Sequence, residues 1–117
     1  MMEWVHEQDG LTIVVTKSGS SARVAWKGVS DARNPGAFLN PLLQSWTEKL
    51  KHSEVTVDLT GLDYMNSATV MPLITFIKHL DANGKPISLV FREIDWQRTH
   101  RNCMAALART LTNVRVE

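Results

Sequence analysis

Short runs rich in β-branched residues alternate with longer stretches of helical periodicity from Leu11 onward, and this alternation limits the fold more than any other feature. Leu11-Thr-Ile-Val-Val-Thr16 reads as a strand. Ser18-Gly-Ser-Ser21 supplies turn chemistry, and Ala22-Arg-Val-Ala-Trp26 alternates apolar with polar, so an antiparallel hairpin opens the domain. Gly28 to Gly36 reads as a loop. Leu39, Leu42, Leu43, Trp46 and Leu50 then fall on one helical face. Pro41 suits only a first turn, which predicts a regular helix from about Pro41 to Lys51 capped by Asn40. Val55-Thr-Val-Asp-Leu59 is a short strand of the kind covered on both faces. Val70, Leu73, Ile74, Ile77 and Leu80 mark a second helix, closed by Asn83-Gly84 and Pro86. Ile87 to Phe91 is another strand. Asp95 is placed to cap a third helix with Trp96, His100, Cys103, Leu107 and Leu111 facing inward, and Val114-Arg-Val116 is a last short strand.

The resulting order, ββαβαβαβ, predicts an α/β fold: a mixed, mainly parallel sheet of four to five strands, begun by a hairpin, with three helices packed mainly on one side. At 117 residues the chain is expected to form one domain over 1–117. A formal net charge of +1 gives no general attraction to nucleic acid or an anionic membrane. No apolar run approaches the ~20 residues that cross a bilayer, and MMEWVHEQDG has neither the basic nor the apolar region of a signal peptide. One cysteine excludes an internal disulfide and a multi-cysteine zinc site, so a reducing cytoplasm is the expected location.

Chemistry concentrates in Val57-Asp-Leu-Thr-Gly-Leu-Asp-Tyr-Met-Asn-Ser-Ala-Thr69. A strand ends near Asp58, a tight loop passes through Gly61, and Asn66-Ser67 precedes a helix. Phosphate is favoured at such a place, because the free amides and the dipole of a helix start meet negative charge. Asn-Ser before a helix is equally a cap. Pro72 suits a first turn, which puts regular helix from about Thr69 and leaves Ser67 more exposed; Thr69 is then the rival phosphoacceptor or the true cap.

That stretch resembles the central motif of STAS domains, the anti-sigma-factor antagonists, in which a strand ending Asp-Leu is followed by a loop ending Asp-Ser-Ser/Thr-Gly at a helix start. Gly28-Val-Ser-Asp31 resembles the family's Gly-Glu-Leu-Asp loop, and Gly84-Lys-Pro-Ile-Ser-Leu-Val matches its glycine before the next strand. The resemblance implies a partner switch. The serine matching Ser67 is phosphorylated by a serine kinase, often itself the anti-sigma factor, and dephosphorylated by a PP2C-type phosphatase. Asp31 and Asp58 match acidic positions near the binding surface, which with Asn66, Ser67 and Thr69 completes the expected partner-binding set. Asn66 stands where the family pattern has Asp, and Val29 where it has Glu. A Tyr-x-Asn-Ser/Thr version resembles a biofilm-regulating subgroup whose partner is a diguanylate cyclase. Other relatives act unphosphorylated, as subunits of bacterial lipid transporters.

The remaining residues point away from catalysis. The Gly-x-Ser-x-Gly elbow of serine hydrolases is absent, as are phosphate-binding and dinucleotide loops, so no enzyme activity and no cofactor are expected. His6, His52, His79 and His100 lack metal-ligand spacing. Arg92, Arg98, Arg101 and Arg109 make the third helix basic, which reads as a solvated face, and Cys103 reads as a core residue. Two functions of different class follow: a phospho-regulated signalling module, or a constitutive subunit in which Ser67 merely caps.

Overall fold

The computed structural model describes residues 2–117. Its elements are β1 (Met2–Gln8), β2 (Leu11–Ser18), β3 (Ser21–Ser30), α1 (Gly36–Lys49), β4 (Glu54–Met65), α2 (Ser67–Ala82), β5 (Ile87–Val90), α3 (Asp95–Ala108) and β6 (Val114–Val116). The strands lie in sequence order, β1-β2-β3-β4-β5-β6. β1, β2 and β3 are antiparallel neighbours, and β3 to β6 run parallel. Three crossovers therefore step in one direction across the sheet, and crossovers of a single hand deposit all three helices on the same face.

That face carries the core. Along β2, β3 and β4 every second residue is buried, from Leu11, Ile13 and Val15 through Val24 and Trp26 to Val55, Val57 and Leu59. They meet Leu39, Leu43, Trp46 and Leu50 of the α1 region, Leu73, Phe76, Ile77 and Leu80 of α2, and Met104 of α3 in one hydrophobic cluster. Fully burying a side chain of this size contributes ~1.5–3 kcal/mol, which is why the stripes read from sequence decide the layering.

The mixed α/β architecture is the expected one, with a sixth strand added at the front. β1 pairs with β2 along its whole length, from Met2↔Lys17 to Gln8↔Leu11. Both proline-bearing helices also begin earlier than expected. α1 starts at Gly36, after Pro35 in the N-cap position, so Pro41 sits in its second turn and Asn40 caps nothing. α2 starts at Ser67, with Pro72 likewise sixth. Each proline removes one helical bond, to the carbonyl of Ala37 or Ala68. Both alanines are exposed, so water satisfies what the helix does not.

β4 is longer than the expected Val55–Leu59 and absorbs the loop through Gly61. Its pairing with β3 slips between Ala25↔Asp58 and Lys27↔Gly61, a bulge in which Gly61 approaches the β3 backbone. A Cβ there would sit 2.9 Å from the Trp26 carbonyl oxygen, closer than any side chain tolerates.

α3 is rotated from its expected face. Gln97 and Met104 are the buried residues, Trp96, His100 and Leu107 are half-buried, and Cys103 is exposed. Asp95 is the first helical residue rather than the cap, a position occupied by Ile94 without a side-chain bond. The rotation follows from Gln97. β5 pairs only with Val55 to Asp58, so the carbonyls of β4 beyond that point lack a strand partner on this side. Gln97 Nε2 donates to the carbonyls of Leu59 (2.9 Å) and Leu62 (3.0 Å), and its Oε1 accepts from the Arg92 amide (2.6 Å).

Candidate functional site

The starts of α1 and α2 lie together at the carboxyl end of the parallel strands, where open α/β sheets carry their binding surfaces. An ideal Cβ on Gly36 would be 3.7 Å from Pro72 Cγ, so the first residue of α1 packs against the second turn of α2.

Asn66 organises this end. Its amide donates to the Ser30 carbonyl (2.9 Å), fixing the end of β4 beside the end of β3. Its side-chain Oδ1 accepts from the Thr69 amide (3.0 Å) and hydroxyl (2.7 Å), while Nδ2 donates to the Ala32 carbonyl (2.9 Å). The Thr69 hydroxyl, having donated to Asn66, accepts from Ser30 Oγ at 2.7 Å. The network ties the β3–α1 loop to the first turn of α2. An aspartate at this position would still accept from Thr69, but would set its second oxygen against the Ala32 carbonyl. Asn66→Asp is therefore expected to cost ~1–2 kcal/mol in urea unfolding, although both residues are good caps and a capping role alone makes the change neutral.

The cap is thus Asn66, not Ser67 or Thr69. The two hydroxyls separate sharply. Thr69 is fully buried in the network, whereas Ser67 is the exposed first residue of α2, where the free amides of the first turn and the helix dipole favour negative charge. Asp31 is exposed in the loop between Ser30 and Ala32, both bonded into the Asn66–Thr69 network, so it belongs to the same end of the molecule.

Asp58 does not. It alternates with the buried Val57 and Leu59 and so projects from the uncovered face of the sheet, seven residues of strand before Met65. There Arg23 binds its Oδ2 through Nη2 (2.6 Å) and Nε (3.2 Å), and Thr60 donates to its Oδ1 from hydroxyl (2.6 Å) and amide (2.9 Å). Burial, the largest single influence, pushes its pKa up. The Thr60 bonds and Arg23 together outweigh it, and the carboxyl ends below the usual range. The native state thus holds this proton less tightly than the unfolded chain. The associated stability is complete above the unfolded carboxylate value of about 3.9 and is lost as pH falls through the lower folded value. Asp58→Asn should flatten the acid limb of a urea-midpoint-against-pH curve below about pH 4 and leave other limbs unchanged.

Sequence reasoning missed other residues that lie close to Ser67 along the chain. Tyr64 and Met71 are large apolar side chains left 46% and 64% exposed, one on each side of the α2 start. The Tyr64 ring tilts against Trp96 (6.2 Å between centroids), and Trp96 meets His100 edge-on (5.9 Å). Burial pushes the His100 imidazole below its ordinary pKa, partly offset by a hydrogen bond to the Met65 backbone. Met71, one turn beyond Ser67, is legible as an apolar residue outside the α2 stripe, whereas Trp96 is hidden because it falls on the apolar face of the third helix. Among the described residues no cluster of three or more His, Cys, Asp or Glu is placed to hold a metal ion, and no helix is long and apolar enough to cross a membrane.

No protein-family model matches the chain, and no curated protein matches it either. Solved structures do. The chain is similar to an anti-sigma factor antagonist from Mycobacterium paratuberculosis, with 15% identity and a TM-score of 0.65 over 89% of this chain and 84% of that one. It is similar to a chain in the complex of the diguanylate cyclase SiaD with its activator SiaC from Pseudomonas aeruginosa, with 13% identity and a TM-score of 0.63 over 97% and 99%. Apo-SiaC from the same organism gives 15% identity and a TM-score of 0.60 over 100% and 99%. The fold is that of the anti-sigma factor antagonists and SiaC, the STAS fold.

Proposed function

We propose that this chain is a regulatory protein-binding module whose binding surface is the α2 start with the β3–α1 loop, and that phosphorylation of Ser67 switches it. The observation that carries the proposal is the division of hydroxyls at the first turn of α2: Ser67 is exposed and bonded to nothing structural, while Thr69 is locked in the Asn66 network. A kinase can reach Ser67 without unfolding the helix. The added charge of about −1.5 to −2 falls beside an intact cap, so it alters the surface rather than the fold. Exposed Tyr64 and Met71 supply apolar contact area next to the charge switch, the composition expected of an interface centre.

The partner is a signalling protein of one of two kinds: a serine kinase of the anti-sigma type, opposed by a PP2C-type phosphatase, or a diguanylate cyclase. The cyclase is favoured by Tyr64-Met-Asn66-Ser67 and by SiaC, an activator of such an enzyme, matching over the whole length of both chains. The chain itself performs no catalysis in this reading.

Affinity capture from the native host with the wild type, Ser67→Ala and Ser67→Asp tests the proposal. A protein held by the first two and depleted with Ser67→Asp supports it. The same protein held equally by all three identifies a constitutive subunit instead.

A further inference from the structure

The uncovered face of the sheet carries a pattern that the functional reading does not use. Strand registers place Glu3, Thr16 and Arg23 side by side across β1, β2 and β3. The next row is Val5, Val14 and Ala25, and the third is Glu7, Thr12 and Lys27. All alternate with the residues that face the helices, so their side chains stand on the opposite face. One outer strand is acidic, the other is basic, and the middle row is apolar, with Val5 54% exposed. Arg23 is engaged with Asp58, whereas Glu3, Glu7 and Lys27 make no ion pair among the described residues.

We infer that two copies of this chain dimerise face to face through these strands, about a twofold axis running along β2. That axis lays β1 of one copy over β3 of the other and β2 over its own equivalent. Glu3 then meets the second copy's Arg23, Glu7 meets its Lys27, Val5 meets its Ala25 and Val14 meets its Val14. Each row is complementary to itself, which is what an isologous interface demands. A twofold axis lying in the face across the strands would instead set Glu3 against Glu7 and Arg23 against Lys27, like charge on like. Sheets packed ~10 Å apart leave long Glu, Lys and Arg side chains within reach of one another. The patch measures roughly 14 by 17 Å from strand spacing and rise, well below the ~800 Å² per partner of a stable interface. The dimer is accordingly weak, reversible and held largely by charge.

Sedimentation equilibrium of the full chain up to about 1 mM, at low salt and in about 0.5 M NaCl, reads this directly. Association is expected at low salt, with the dissociation constant raised at least about tenfold by the added salt. Glu7→Lys and Lys27→Glu should each abolish it. An equimolar mixture of the two variants restores opposite charges at both contacts and should restore association, as should Glu7→Lys and Lys27→Glu in one chain. Both positions are exposed, so each variant is expected to fold, which circular dichroism checks. A monomer at 1 mM in low salt overturns the inference. So does a dimer indifferent to either reversal, or a mixture that stays monomeric.

Discussion

Replacing Gln97 by leucine is expected to lower the unfolding free energy by about 3 kcal/mol. The side chain is fully buried and of nearly the same volume as leucine, so packing changes little. What changes is the bonding: the Leu59 carbonyl and the Arg92 amide lose their Gln97 partner, while the Leu62 carbonyl keeps the Arg92 guanidinium at 3.1 Å. Two backbone groups stranded at ~1–3 kcal/mol each, less the saving from not burying an amide, give the stated figure. In a domain of this size that is a fall in Tm of ~10 °C or more. Gln97→Glu should be worse than leucine, because a carboxylate oxygen would face two carbonyls. Urea unfolding of the three proteins checks the order. A loss below about 1 kcal/mol for leucine would mean that the bulged end of β4 draws its order from elsewhere.

Phosphorylation of Ser67 is expected to weaken partner binding about a hundredfold, ~3 kcal/mol, with almost no change in stability. Because Asn66 is the cap, Ser67→Ala should leave stability within about 0.5 kcal/mol of the wild type and retain full affinity. Ser67→Asp should lower affinity in part, since one carboxylate carries less charge and fewer oxygens than a phosphate. Thr69→Val should do the reverse: it leaves the accessible hydroxyl in place and loosens the Asn66 network, costing ~1–2 kcal/mol of stability. Affinity and stability therefore separate by residue, which a shared capping role for the two hydroxyls does not allow.

The layered core of the fold was legible because its signal is burial. The stripes of α1 and α2 and the β-branched runs of β2, β4 and β5 each have one way to hide their apolar face. The features that escaped obey other rules. β1 reads as Glu-Trp-Val-His-Glu-Gln, too polar for a core strand, because only its Trp4, His6 and Gln8 face is covered. The readable sign was Asp9-Gly10, a hairpin dipeptide with positive φ at both residues (52° and 86°). α3 turns away from the face that Trp96, His100, Cys103, Leu107 and Leu111 mark in the sequence, because nothing local says that two carbonyls await Gln97. At the site, Ser67 and Asn66 could be singled out from the strand–loop–helix pattern. The burial of Thr69 and the separation of Asp58 from the α2 start depend on strand register, which a one-residue slip inverts.

The most direct test of the central claim is the position of phosphate on protein purified from its native host. Trypsin releases residues His52 to Lys78 as one peptide, carrying Ser67 and Thr69 together with the other hydroxyls of β4 and α2. Fragmentation of that peptide is expected to place phosphate on Ser67, leaving Thr69 unmodified. Phosphate on Thr69, which the fold buries completely, or an unmodified peptide under every condition in which the bound partner changes, would contradict the account.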